Sequence, residues 1–142
     1  MRRGRRVGFD VGQVRIGVAQ CDPDGILATP VETLCRGKSD IDDAAQIVRE
    51  CEAMEVIVGL PLNMDGTEGA SARDARAWAA ELAESVAPAP VRLVDERLST
   101  VTAHGQLIAA GRDSRKRRSI VDQAAAVVIL NTALEMEQRT GN

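Results

Sequence analysis

The segment Val56-Ile57-Val58-Gly59-Leu60 restricts the fold of this chain more than any other feature. Five consecutive apolar residues leave no side chain for solvent, so both faces of the segment must be covered. A strand buried on both faces belongs to a sheet with helices above and below it. Val91 to Asp95 reads as a second buried strand. Between the two, residues 71–87 are alanine-rich, and Ala75, Trp78, Ala79, Leu82 and Val86 recur at helical spacing. Strand, helix and strand in that order predict a right-handed parallel crossover.

The preceding residues follow a different period. Residues 5–11 alternate, with Val7, Phe9 and Val11 on one face and Gly8, Asp10 and Gly12 on the other. Gly12-Gln13 is a tight turn into a strand from Val14 to Cys21. Asp22-Pro23-Asp24-Gly25 is a turn into a third strand, from Ile26 to about Leu34. Ser39-x-x-Asp42 resembles a capping box for a helix whose apolar face is Ala44, Ile47, Val48 and Cys51. A further helix is expected from Ser99 or Thr100 to Ala110, ended by Gly111, and a last one from about Ser119 to Gln138. The fold class is therefore α/β, with a mixed five-stranded sheet flanked by helices: an antiparallel three-strand meander plus two parallel strands. The 142 residues suffice for a single domain, 1–142. Ligands are expected off the carboxyl ends of the parallel strands.

The net charge of −3 conceals a segregation. Residues 2–6 hold four arginines, and residues 112–118 hold five bases and one acid. Those twelve positions carry +8, leaving −11 on the other 130. Dense basic patches on an acidic body suggest a local anionic partner. Residues 111–118 contain nothing apolar to anchor them, so they are expected to form a mobile basic loop. Arg97, Arg112, Arg115, Lys116, Arg117 and Arg118 are the candidate nucleic-acid contacts. Phe9 and Trp78 are the only aromatic residues, so base stacking on rings is a poor prospect and any nucleic acid should be held by backbone and shape. Cys21, Cys35 and Cys51 lack metal-ligand spacing and fit reduced thiols. No apolar run approaches membrane-spanning length, and Asp10 falls where a signal peptide needs its apolar core, so a cytoplasmic protein that avoids membranes is expected.

Three acids need a chemical explanation. Asp10 lies on a central strand between two glycines that clear space beside it for a ligand. Glu96 follows the strand Val91–Asp95, and its side chain should oppose that of Asp95. Asp122 heads a buried stripe of Ala125, Ala126, Ile129 and Ala133, although Ser119-x-x-Asp122 also fits a cap. An ionised carboxylate in such a position is costly unless it is paired or bound to metal. Carboxylates from three elements converging on one point would bind Mg2+ or Mn2+, as two-ion phosphodiester sites do. The single histidine, His104, leaves no nucleophilic triad to propose.

Five blocks resemble the YqgF (RuvX) family. They are Val7-Gly8-Phe9-Asp10-Val11-Gly12, Ile16-Gly17-Val18-Ala19, Val58-Gly59-Leu60-Pro61-Leu62-Asn63-Met64-Asp65-Gly66, Asp95-Glu96-Arg97-Leu98-Ser99-Thr100 and Val121-Asp122-Gln123-Ala124-Ala125-Ala126. The resemblance implies an RNase H-like fold and a bacterial nuclease with Asp10, Glu96 and Asp122 as catalytic and metal-binding acids. It also implies a substrate: the 5′ end of the 16S rRNA precursor in ribosome biogenesis, or the four-way Holliday junction in DNA recombination. The chain is expected to be a monomer or a homodimer; a junction resolvase would be a symmetric dimer, since it cuts two strands related by a two-fold axis. Two further readings compete. Asp10-Val11-Gly12 before a hairpin fits a sugar-kinase or actin-like phosphate loop, but those folds need two such domains. A non-catalytic ribosome-assembly factor would hold RNA through basic patches alone.

Overall fold

The computed structural model describes residues 2–98 and 114–140. Five strands run β1 (Arg6–Val11), β2 (Arg15–Cys21), β3 (Ala28–Cys35), β4 (Glu55–Leu60) and β5 (Val91–Asp95). They form one sheet in the order β3-β2-β1-β4-β5. The first three are an antiparallel meander, and β4 runs parallel to both β1 and β5. The expected mixed sheet is thus present, with β1 at its centre. β3 is an edge strand, which accommodates Pro30 beside a register shift opposite Val18 and Ala19.

The two-residue period of the strands sorts side chains into two cores. Val7, Phe9 and Val11 of β1, Ile16 and Val18 of β2, and Val56 and Val58 of β4 pack under α1 (Asp40–Glu50) and α2 (Ala70–Val86). Trp78 on α2 belongs to this core, its ring 5.2 Å from that of Phe9 at a 58° tilt. The opposite face carries Ala19, Cys21, Ile57 and Val94, covered by α3 (Ser114–Thr140) through Ala126, Ile129, Leu130, Ala133 and Leu134. Small residues let α3 come close. A Cβ on Gly8 would lie 3.2 Å from Leu130 Cβ and 3.3 Å from the Ala126 carbonyl oxygen. The space beside Asp10 at Gly8 is therefore filled by a helix, contrary to the expectation of a ligand there. Gly12 closes the β1–β2 turn, its N–H donating to the Arg15 carbonyl at 2.9 Å.

Three other expectations are corrected. The last helix begins at Ser114 rather than Ser119, so residues 114–118 are helical and not part of a loop. Arginine and lysine are good helix formers, and that tendency outweighs their unfavourable charge at a helix N-terminus. The remainder of the proposed loop, 111–113, and the helix expected over 99–110 lie outside the described residues. Ser39 is the N-cap of α1 but makes no side-chain capping bond. The Asp40 carboxylate instead accepts the Gly37 N–H and Arg36 Nε, each at 3.2 Å. Of the N-terminal arginines, read as a basic patch, Arg2, Arg3 and Arg5 are exposed, but Arg6 is withdrawn into the protein. Arg2 and Arg6 both bond to Glu137 of α3, and Arg6 is buried; Arg3 pairs with Asp24.

Candidate active site

The carboxyl ends of β1, β4 and β5 lie side by side, and there Asp10 and Glu96 meet. Glu96 opens a single 3-10 turn, Glu96–Leu98, directly after β5. Asp95 and Glu96 diverge as alternation requires. Asp95 turns outward and accepts Arg97 Nη2 at 2.7 Å and the Arg97 backbone N–H at 2.9 Å. Those hydrogen bonds hold the Asp95 carboxyl below its usual range. Glu96 turns inward across β4 to hydrogen-bond with Asp10.

That crossing depends on Gly59. A Cβ there would sit 2.5 Å from Glu96 Oε1, 3.0 Å from Glu96 Cγ and 2.5 Å from Ile129 Cδ1. The atoms displaced are ends of flexible side chains rather than backbone. Gly59→Ala should therefore fold with a loss of about 1 kcal/mol while shifting the Glu96 carboxyl. If Glu96 is the catalytic acid that the family resemblance implies, cleavage of nucleic acid should fall about 100-fold, the cost of a misplaced group. A thermal melt and a single-turnover assay together check this.

Burial raises the pKa of Glu96 from an ordinary 4.5 to about 8, and the charge of Asp10 together with the hydrogen bond between the two acids adds to the rise. The pair therefore shares a proton near neutrality, with Glu96 as the donor. The folded value exceeds the unfolded one, so the folded protein holds the extra proton between pH 4.5 and 8. The stability this proton confers is full below about 4.5 and is lost as pH rises through about 8. Melting temperatures of protein in chelator should fall across that window, and millimolar Mg2+ should flatten the decline.

Asp122 stands close by without joining the pair. It is the ninth residue of α3, deep inside the helix, so the capping role is excluded. Its backbone carbonyl sits on Gly17, where any Cβ would overlap it, and Gly17 is the cross-strand partner of Asp10. Its carboxylate, however, accepts Arg15 Nε at 2.7 Å. Accordingly, no group of three His, Cys, Asp or Glu side chains poised to hold a metal occurs among the described residues. Two of the three expected acids are in contact, and the third is tied one strand away by an arginine that was not singled out from sequence. The donor set nevertheless suits a divalent cation: only hard oxygens, with a proton, held by burial and by the charge of Asp10, that a cation would displace.

Arg97 is exposed, and besides Asp95 its guanidinium donates to the Met64 carbonyl oxygen at 3.2 Å. This ties the β4–α2 loop to the site. Arg112 and the side chains of Arg115, Lys116, Arg117 and Arg118 lie outside the described residues. Gly17, Gly59 and Arg15 are the determinants that sequence reasoning missed. The signal for the glycines was their place on the Asp10 face of strands flanking β1.

The geometry can be set beside known proteins. A protein of Streptomyces coelicolor named "Putative pre-16S rRNA nuclease" is 57% identical over 145 residues, covering 99% of this chain and 86% of its own. A Thermobifida fusca protein of the same name is 55% identical over 147 residues, covering 99% and 92%. Among solved structures, Thermus thermophilus RuvC in complex with a Holliday junction substrate matches 96% of this chain and 97% of its own, with a TM-score of 0.58 at 13% identity. RuvC of the same organism in a second structure gives 0.55 at 14% identity, with 96% of each chain covered. The fold is therefore RNase H-like. A model of the RuvX family, described as Holliday junction resolvase, matches residues 4–136. With that match over nearly the whole chain, and relatives more than half identical along it, the chain belongs to the RuvX (YqgF) family.

Proposed function

We propose that this protein is a metal-dependent nuclease that hydrolyses phosphodiester bonds of the 16S rRNA precursor at its 5′ end. The observation that carries the reading is the pair Asp10 and Glu96, pressed together off the carboxyl ends of parallel strands. A structural protein gains nothing from two acids that repel each other in a partly buried position. The relatives' shared name supports the substrate. Asp10 and Glu96 would hold Mg2+ or Mn2+, with Asp122 completing a set able to take two ions. Bound there, the ions would lower the pKa of water and stabilise the leaving oxygen.

The protein's own residues do the rest. Gly59 leaves Glu96 free to reach Asp10. Arg97, steadied by Asp95 and the Met64 carbonyl, offers an exposed cation one residue beyond Glu96 for a phosphate approaching the site. Arg112, Arg115, Lys116, Arg117 and Arg118 precede Asp122 on the chain and would guide the phosphate backbone towards it. Alanine at Arg115, Lys116, Arg117 and Arg118 should weaken binding regardless of sequence. Each lost contact should lower the slope of log affinity against log salt by roughly 0.7–0.9. An unchanged slope would remove this stretch from the binding face.

The deciding experiment assays precursor 16S rRNA and a four-way DNA junction side by side, in Mg2+ and in Mn2+. Cleavage of the precursor to 5′-phosphate and 3′-hydroxyl ends supports the proposal, since attack by water needs no 2′-hydroxyl. Cleavage of the junction alone, by a protein that sediments as a dimer, would transfer the activity to recombination, the role in the family's description. Binding without cleavage of either would leave an assembly factor. No helix among the described residues is long and apolar enough to cross a membrane, in keeping with a cytoplasmic role on ribosomal precursors.

A further inference from the structure

We propose that Arg15 is a positioning residue that latches Asp122 away from Asp10 and Glu96 until a phosphodiester group draws the arginine off. The inference rests on the reading of the three acids as cation ligands.

Four observations carry it. First, the backbone of Asp122 is already in place. Its carbonyl lies on Gly17, the register partner of Asp10 on the neighbouring antiparallel strand. Second, that backbone cannot move closer, because no side-chain volume separates the helix from the strand at Gly17. Only rotation of the Asp122 side chain remains as a way to change where its carboxylate points. Third, the carboxylate is held by Arg15 Nε at 2.7 Å. Arg15 is the first residue of β2 and shares the Gly17 face by the two-residue period, so it stands at the rim of the same site. Fourth, the pair is reachable. The Arg15 side chain is 32% exposed and that of Asp122 is 21% exposed, whereas Arg6 and Glu137, joined for structure, are 1% and 4% exposed.

An ion pair at that level of exposure is weak and can be exchanged for others of equal charge. A phosphodiester offers the planar guanidinium of Arg15 two non-bridging oxygens, a two-pronged match as good as a carboxylate. A divalent cation offers Asp122 a stronger partner than guanidinium. Nucleic acid and cation therefore each take one half of the pair, and no net charge is buried or stranded by the exchange. Because each ligand releases the group the other needs, their binding is mutually cooperative. The acids would form a complete cation site only when a phosphodiester is present, which keeps the free protein from assembling an indiscriminate hydrolytic centre.

The test is a double-mutant cycle on Mn2+ affinity, measured by calorimetry without nucleic acid on the full chain. The four proteins are wild type, Arg15→Gln, Asp122→Asn and the double variant. Arg15→Gln should bind Mn2+ about two- to fivefold more tightly, the fold-change of an exposed ion pair, and the gain should vanish in the Asp122→Asn background. An equal gain in both backgrounds would reduce Arg15 to a general positive field and overturn the latch, as would no gain at all. If no protein of the four binds Mn2+, the cation site itself fails and the latch with it. Should Arg15→Gln not fold, nucleic-acid binding in EDTA serves instead. Asp122→Asn frees Arg15 and should steepen the salt slope by roughly 0.7–0.9; an unchanged slope would show that Arg15 does not reach phosphate.

Discussion

Asp10→Asn should abolish cleavage while leaving nucleic-acid affinity nearly intact. Asp10 touches Glu96 directly, and the charge on Asp10 helps drive the Glu96 pKa up to about 8. Asparagine keeps the shape and one oxygen but removes the charge that attracts a cation. The rate should fall by far more than the ~10–100-fold that loss of an outer-shell partner costs. Two other readouts should move in the opposite direction. Without the neighbouring charge the Glu96 carboxyl ionises at lower pH, and the metal-free protein becomes more stable at pH 8, where wild type suffers most from the crowded acids. A variant that is simultaneously inactive, competent to bind and more heat-resistant in chelator separates a ligand-holding acid from a structural one. Near-normal cleavage in Asp10→Asn would end the carboxylate mechanism, whichever nucleic acid is the substrate.

The placement of Asp10 was legible because a strand has only two faces. Once Val7, Phe9 and Val11 commit one face to the core, Asp10 must share the other with Gly8. Glu96 was legible for a similar reason, as the residue just beyond a buried strand in a sheet whose ligands gather at carboxyl ends. What could not be read was which glycine serves which purpose. Gly8 and Gly12 flank Asp10 in sequence, yet they admit a helix and close a turn. Gly17 and Gly59, distant in sequence, are the ones that let Asp122 and Glu96 approach Asp10. Strand register decides this, and register depends on pairings that local periodicity does not encode. The direction of the Asp122 carboxylate was hidden for a related reason. A helical period puts Asp122 on the sheet-facing stripe but says nothing of a partner reaching up from β2.

The N-terminal arginines expose the limit of counting charges, and they carry the largest stability effect expected of any substitution here. Arg6 faces α3 from the start of β1 because it lies two residues before Gly8 and four before Asp10. The Arg6 guanidinium, 1% exposed, is met by the Glu137 carboxylate, 4% exposed. Arg2 adds Nε to Glu137 Oε1 at 3.0 Å and its backbone N–H to Oε2 at 3.1 Å, and it also reaches Glu55 at 3.2 Å. Burial alone would raise the Glu137 carboxyl, but the hydrogen bond from Arg2 and the charges of Arg6 and Arg2 outweigh it and hold the carboxyl below its usual range. Glu137→Gln keeps the volume and one acceptor but leaves a buried guanidinium without a counter-charge. The expected loss is about 3–5 kcal/mol, or a fall on the order of 10 °C in melting temperature. The variant should also lose part of the acid limb of the stability curve. A carboxyl with a lowered folded value stabilises above its unfolded pKa and loses that contribution as pH falls through the folded one. Asp24→Asn breaks the exposed pair with Arg3, 74% and 52% exposed, and should shift the melting temperature by no more than about 2 °C. Replacing Arg6 and Glu137 together by methionine should recover most of the lost stability, because no lone charge then remains in the core. Equal melting temperatures for Glu137→Gln and Asp24→Asn would deny Arg6 its buried role and return it to the surface patch that Arg2, Arg3 and Arg5 already form, available to an anionic partner.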